Sequence, residues 1–168
     1  MNWIVVLNQI MSKEMNKDLV QYFVDNPKEI NPLLQHIEEG NGKSSDRASW
    51  VLTHIWDDYP YLIEQHLPYL IKLLEYGATE PTQRNIIRIL QDSELPEDQH
   101  GFLVEYCFQK IIDPKNAIAL RVFSIPVLYR LSIIYPDLQA EFKLCLEELI
   151  PQASSGLKNR AKKYLKLI

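Results

Sequence analysis

Four arginines recur along this chain at an almost constant step. Arg47 in SDRASWVL, Arg84 in PTQRNIIRIL, Arg121 in IALRVFSIPVL and Arg160 in LKNRAKKYL are separated by 37, 37 and 39 residues. An unrelated feature keeps the same step. The apolar segments LPYLIKLLE (67–75), VEYCFQKII (104–112) and FKLCLEELI (142–150) follow one another at 37 and 38 residues. Two independent patterns on one period require a repeating unit. Each unit is too small to bury its apolar face alone, so successive units must stack.

The unit is helical. Ile63, Leu67, Leu70, Ile71 and Leu74 fall at three- and four-residue steps, as do Leu103, Cys107 and Ile111, and Leu138, Phe142, Cys145, Leu146 and Leu149. The breaks are short: GNGKSS (40–45), GATEPT (77–82), SELPED (93–98), DPKN (113–116), YPD (135–137) and QASSG (152–156). Each pairs a turn former with a helix N-cap residue, and turns this short make consecutive helices antiparallel neighbours. No period-two pattern marks a strand. The expected layout is an N-terminal helical cap (2–25) and four hairpins, 27–39 with 43–57, 60–76 with 81–93, 97–112 with 115–134, and 137–151 with 155–168. The fold class is therefore all-α, an α-solenoid in one domain spanning 1–168. A stretch such as NAIALRVFSIPVLYRL (116–131), apolar yet holding Arg121 and Pro126, fits the second helix of an interior hairpin. Such a helix has neighbours on both sides, its arginine can cap a nearby turn, and its proline bends it.

LPYLIKLLE…QRNIIRIL and DPKNAIALRVFSIPVL resemble HEAT repeats, in which an apolar first helix carrying Pro leads through an Asp-bearing turn to an Arg followed by small and aliphatic residues. Pro68 with Arg84 matches one repeat and Asp113 with Arg121 another, while the partner aspartate is absent before Arg84 and Arg160. Over residues 27–168 the chain is similar to small stand-alone bacterial HEAT-like, armadillo-like proteins. The resemblance implies an architecture suited to scaffolding and protein binding, and no chemistry.

Charge and composition narrow the function classes. Residues 1–154 hold 13 of the 18 lysines and arginines and all 22 acids, a balance of −9 that disfavours a phosphate-holding surface. This counts against nucleic-acid binding of the kind found in DNA alkylation-repair HEAT proteins, the alternative reading, which line a basic groove with tryptophan and an acid. Cys107 and Cys145 lack metal-ligand spacing and a CxxC pair, so a reducing, cytoplasmic setting is expected. MNWIVVLNQIMSKEM has too short an apolar run for a signal peptide, and no stretch approaches a membrane span.

The richest cluster is WVLTHIWDD (50–58). On a helix Arg47, Trp50, His54 and Asp57 share one side, and Ala48, Val51, Leu52 and Ile55 form the opposite stripe; the cluster reads either as a ligand or base-stacking platform or as tryptophans packed between neighbouring helices above a solvated Asp pair. His54 with Asp57, Asp58 and His66 matches no ligand motif such as HExxH, so no metal is expected. SSGLKNRAK (154–162) superficially resembles the signature loop of the adenylosuccinate lyase superfamily but has Gly156-Leu157 where that loop carries Met-Pro. Phosphate-loop, nucleophile-elbow and dinucleotide motifs are absent. From Ser155 to Ile168 there are five basic residues and no acid, the pattern of a polar cap on the stack or of a site for an acidic partner. The expectation is a monomeric, non-enzymatic module without cofactor that binds a protein or peptide. Its contact candidates are Arg47, Trp50, His54, Arg84 and Arg88 on the second helices, and Lys162, Lys163 and Lys166 at the C-terminal end.

Overall fold

The structure is a computed structural model that describes residues 1–9, 12–40 and 42–168. Its described residues form ten α-helices and no strand: α1 (Trp3–Leu7), α2 (Lys13–Asp25), α3 (Ile30–Glu38), α4 (Lys43–Asp58), α5 (Leu67–Glu75), α6 (Glu80–Leu90), α7 (His100–Ile112), α8 (Ile118–Ile134), α9 (Gln139–Leu149) and α10 (Ser155–Leu165). The all-α solenoid class expected from the period is what the helices build. They fall into two compact units, Met1–Ile89 and Leu90–Ile168.

Boundaries differ from the expected ones at several ends. The N-terminal helical segment holds two helices, and Ile10 and Met11 within it lie outside the described residues, as does Asn41 between α3 and α4. Each first helix is entered through one or two 3-10 turns, Pro27–Glu29, Pro60–Leu62 with Glu64–His66, Glu97–Gln99 and Pro136–Leu138. Proline suits these entries because its missing N–H is one a helix start leaves unused. The second helix expected over 81–93 ends at Leu90, since the backbone beyond it is held open by a side chain from α8, described below.

In the first unit, α4 is the central element, in contact with α1, α2 and α3. Its stripe of Ala48, Val51, Leu52 and Ile55 is buried, as the periodicity required, together with Leu7, Leu19, Phe23 and Leu33. Trp3 locks α1 down: its ring lies 5.7 Å from Phe23 and 5.6 Å from His36, and its Nε1 donates to Glu29 at 3.0 Å. Helix α5 ends in a Schellman turn. Ala78 N donates to Leu73 O at 3.1 Å and Gly77 N to Leu74 O at 3.4 Å, with Gly77 at φ +82° where a side chain would be strained. Between α4 and α6 runs a polar ladder. Ser49 Oγ accepts from Asn85 at 2.9 Å and from Thr82 at 3.3 Å, and the Asp46 carboxylate accepts from Thr79, the residue before α6. Asp46 thus holds the start of α6 against α4.

In the second unit, α8 packs on α7, α9 and α10. It runs unbroken through Pro126, and Leu120, Ser124, Ile125, Val127, Leu128 and Leu131 are all fully buried. Arg121 is itself buried, and its Nε donates to Ile111 O at the end of α7 at 3.0 Å. Burial lowers its pKa, with Asp113 acting the other way. So the repeat arginine caps the first helix of its own hairpin. A second arginine, outside the repeat pattern, does more. Arg130 Nη1 donates to Leu90 O and Gln91 O at 2.9 and 3.0 Å, and Nη2 to Ser93 O at 2.6 Å. One guanidinium satisfies three carbonyls that the chain leaves unpaired as it turns.

Cys107 and Cys145 are free and buried, on α7 and α9, which pack together. Burial pushes the Cys107 thiol up to about 12, partly offset by the Ser124 hydroxyl, and the Cys145 thiol up to about 11, helped by Glu148 and Glu141. Both are packing residues.

Two measurements check this description. Replacing Arg130 with Ala should cost about 2 kcal/mol in denaturant unfolding by stranding three carbonyls, and Arg130→Lys should recover only part of it; an unchanged midpoint in the Ala variant would contradict the capping role. Both thiols of the native protein should react with a thiol reagent at least about a hundredfold more slowly than free cysteine and at the free rate once unfolded. Fast native labelling would refute their burial.

Candidate functional site

Helix α4 presents its second face to α2. The apolar stripe faces the core, so the residues one third of a turn away, Trp50 and His54, are left half-buried at the seam between the two helices. Their rings meet edge to face, with centroids 4.7 Å apart. Around them opens a cavity of about 650 Å³ lined from α2 by Lys13, Asn16, Lys17, Val20 and Gln21, and from α4 and the turn after it by Trp50, His54, Asp58 and Tyr59. A volume of this order suits a small molecule or a few residues of a peptide.

Two polar atoms of the lining are buried without a hydrogen-bond partner among the described residues, Asn16 Oδ1 and His54 Nε2. The two histidines in buried positions are hydrogen-bonded. His36 Nε2 meets Ser44 Oγ at 2.7 Å, and His100 is held through both nitrogens, by Tyr135 at 3.0 Å and by the Leu95 carbonyl at 3.0 Å. Burial lowers the His54 pKa and Arg88 acts in the same direction, while Asp57 and Asp58 act against them. The imidazole is therefore neutral at physiological pH, and Nε2 is a donor or an acceptor according to tautomer.

The remaining expected contact residues are placed as follows. Arg47 is occupied within the fold: its Nη1 donates to Leu7 O at 2.7 Å and Gln9 O at 2.6 Å, tying α4 to the end of α1. Arg88 grips Asp57 with Nη2, 3.0 and 2.9 Å from its two carboxylate oxygens, and reaches Thr53 O. Arg84 is half-buried in a shallow depression with Asp46, Arg47, Trp50, Pro81 and Asn85. The geometry thus brings Arg47, Trp50 and Arg84 onto one surface and gives Trp50 and His54 a cavity on the other side. Lys162, Lys163 and Lys166 stand apart in the second unit, exposed on or just after α10, with Lys163 Nζ 5.7 Å from the Tyr164 ring centre. Leu157 and Ala161 are buried beneath them.

Asn16, Lys13, Lys17 and Tyr59 were not singled out by the sequence. Lys13, Asn16, Lys17 and Val20 do fall at i, i+3, i+4 and i+7, which marks one face of α2. Nothing in the spacing says that this face meets Trp50.

The lowered histidine pKa values set a pH dependence. Burial also lowers the pKa of His66. A histidine held below its ordinary 6.5 resists protonation in the fold. As pH falls through that value the unfolded chain binds the proton first, so stability is lost on acidification until the folded group titrates. The fall in melting temperature between about pH 7.5 and about pH 5.5 should be smaller in a His54→Gln, His66→Gln double variant than in the wild type. Equal falls would show that neither imidazole is held neutral.

A comparison with curated proteins and one with solved structures found no match. The family model for the HEAT repeat domain matches residues 4–168, close to the whole chain, including the N-terminal helices outside the four expected hairpins. With the repeated arginines, the ten-helix architecture and this match together, the chain belongs to the HEAT repeat domain family.

Proposed function

We propose that this HEAT-repeat scaffold is a non-enzymatic module of one repeat domain, acting as a cytoplasmic monomer, that binds a protein or peptide partner. The observation that carries the reading is the cavity beside Trp50 and His54. It sets an aromatic wall beside Lys13 and Lys17, the composition of a contact anchor. Arg84 extends the contact surface along the second helices, whereas Arg47 and Arg88 act through the backbone and the carboxylate they already hold. No nucleophile stands beside a base in the cavity: both thiols are buried elsewhere and protonated at physiological pH. The excess of acids over residues 1–154 argues against the nucleic-acid alternative, and no described helix is long and apolar enough to cross a membrane.

Affinity capture from nuclease-treated native lysate tests this, with the wild type compared against Trp50→Ala and against a Lys162→Gln, Lys163→Gln, Lys166→Gln triple variant. The expected result is a protein retained by the wild type and at least about tenfold depleted with Trp50→Ala. Loss with the triple variant instead, relieved as salt rises, would move the contact to the basic C-terminal helix. Retention of nucleic acid alone, abolished by nuclease, overturns the reading.

A further inference from the structure

The second unit carries a groove that the Trp50 contact does not use. It runs along α7, where Gly101, Val104, Phe108 and Ile112 line a cavity of about 650 Å³. These residues follow one another at three and four positions, so they form one row along a single helix face for about 16 Å. Leu138, just before α9, lines the groove as well. The row is apolar but not covered: Ile112 is 60% exposed, and Val104 and Leu138 are half-buried. Gly101 keeps the groove open near the start of the helix. A Cβ there would meet nothing within 4 Å. Its φ is not positive, so the backbone does not require glycine, and alanine would serve the helix better.

The rim of the groove is acidic. Glu105, Asp113 and Glu141 are among its lining residues, and no lysine, arginine or histidine is. All three acids are exposed. Glu105 accepts a hydrogen bond from Gln109, one turn on, at 3.2 Å. Asp113 accepts from the Lys115 amide at 2.9 Å and lies close enough to the buried Arg121 to act on its charge. Lys110, on the same helix, is turned to the Tyr106 ring, 5.0 Å from its centre. An apolar floor between carboxylates suits a partner that is apolar along one line and cationic on either side of it. An extended strand finds no edge to pair with here, because the backbone of α7 is hydrogen-bonded within the helix.

We propose that this groove binds an amphipathic helix of a partner protein, one whose apolar stripe is flanked by lysine or arginine. The site goes beyond the Trp50 contact and does not depend on it. Three turns of such a helix match the length of the row. Apolar side chains at three- and four-residue steps cover Val104, Phe108, Ile112 and Leu138, and one of them takes the open place over Gly101. The flanking cations reach Glu105, Asp113 and Glu141. The basic helix of a second copy of this chain does not fit the role. Leu157 and Ala161 of α10 are already buried within its own unit, and its lysines alone would leave the apolar floor uncovered.

The test uses the full chain and three fluorescein-labelled helical peptides of about 15 residues, followed by polarisation. The first carries leucine at i, i+3, i+7 and i+11 with lysine on both flanks. The second replaces each lysine with glutamate, and the third keeps the lysines and replaces each leucine with serine. The first should bind, and the other two at least about tenfold more weakly. Gly101→Leu fills the groove without changing its charge. It should lower affinity for the first peptide at least about tenfold while the melting temperature holds or rises. Ile112→Ser, at an exposed position, should lower affinity in the same way and carries the test if Gly101→Leu proves unstable. Glu105→Gln with Glu141→Gln should weaken binding and flatten its dependence on salt. No binding of the first peptide, equal binding of the first and either control, or unchanged affinity in Gly101→Leu or Ile112→Ser overturns the inference. Self-association of the chain alone, abolished by Gly101→Leu, would give the groove to a second copy and overturn it too.

Discussion

Everything in this protein depends on closing the ends of short helices that pack against one another. A helix of ten or so residues leaves four carbonyls unpaired at its C-terminus, a large fraction of its backbone. Stacking hairpins brings those ends into partly buried positions where water cannot serve them. The chain answers with guanidinium groups. Arg121 reaches Ile111 within its own hairpin, Arg47 reaches Leu7 and Gln9, and Arg130 reaches Leu90, Gln91 and Ser93. The planar fork, permanently charged, bonds several carbonyls at once, which a lysine ammonium does less well. Two of the periodic arginines, Arg47 and Arg121, thus meet a backbone requirement. It also explains why Arg47, which looks like a surface contact, is engaged within the fold.

The same economy shapes the cavity. Because α4 contacts α1, α2 and α3, most of its circumference is committed to packing. The Ser49, Thr82 and Asn85 ladder takes the side toward α6. Trp50 and His54 occupy the remaining seam with α2, too wide there for the side chains to fill. A protein interior normally closes such gaps or satisfies their polar atoms. Here the gap stays open, lined by Trp50, Tyr59 and two lysines. A concave gap of this size with an aromatic wall is how small binding sites are ordinarily built.

The family membership adds scaffold and not chemistry. Repeat folds place function on their surfaces, so the two groups of basic and aromatic residues at Trp50 and on α10 have different standing. On α10 the lysines are exposed above a buried Leu157 and Ala161, an arrangement that any terminal amphipathic helix produces. Around Trp50 an aromatic wall and two lysines line a cavity of about 650 Å³. The second is the stronger indication of binding.

Much of the fold was legible in the residues. The period of the arginines and of the first-helix segments fixed the helical hairpins, because apolar burial enforces the three- and four-residue spacing that produced them. The apolar stripe of α4 and the place of both cysteines among apolar helix positions followed from the same spacing. Helix ends were read less well: α6 stops at Leu90 because Arg130, forty residues on, takes the carbonyls that follow, and no local pattern announces a contact so distant in sequence. The site divided in the same way. Trp50 and His54 stood out by residue type, but Asn16, Lys13 and Lys17 look like an ordinary polar helix face until α2 is laid against α4. Periodicity belongs to the chain and records which side of a helix is buried. Which two faces meet, and which polar atom is left between them without a partner, is decided only when the helices pack in three dimensions.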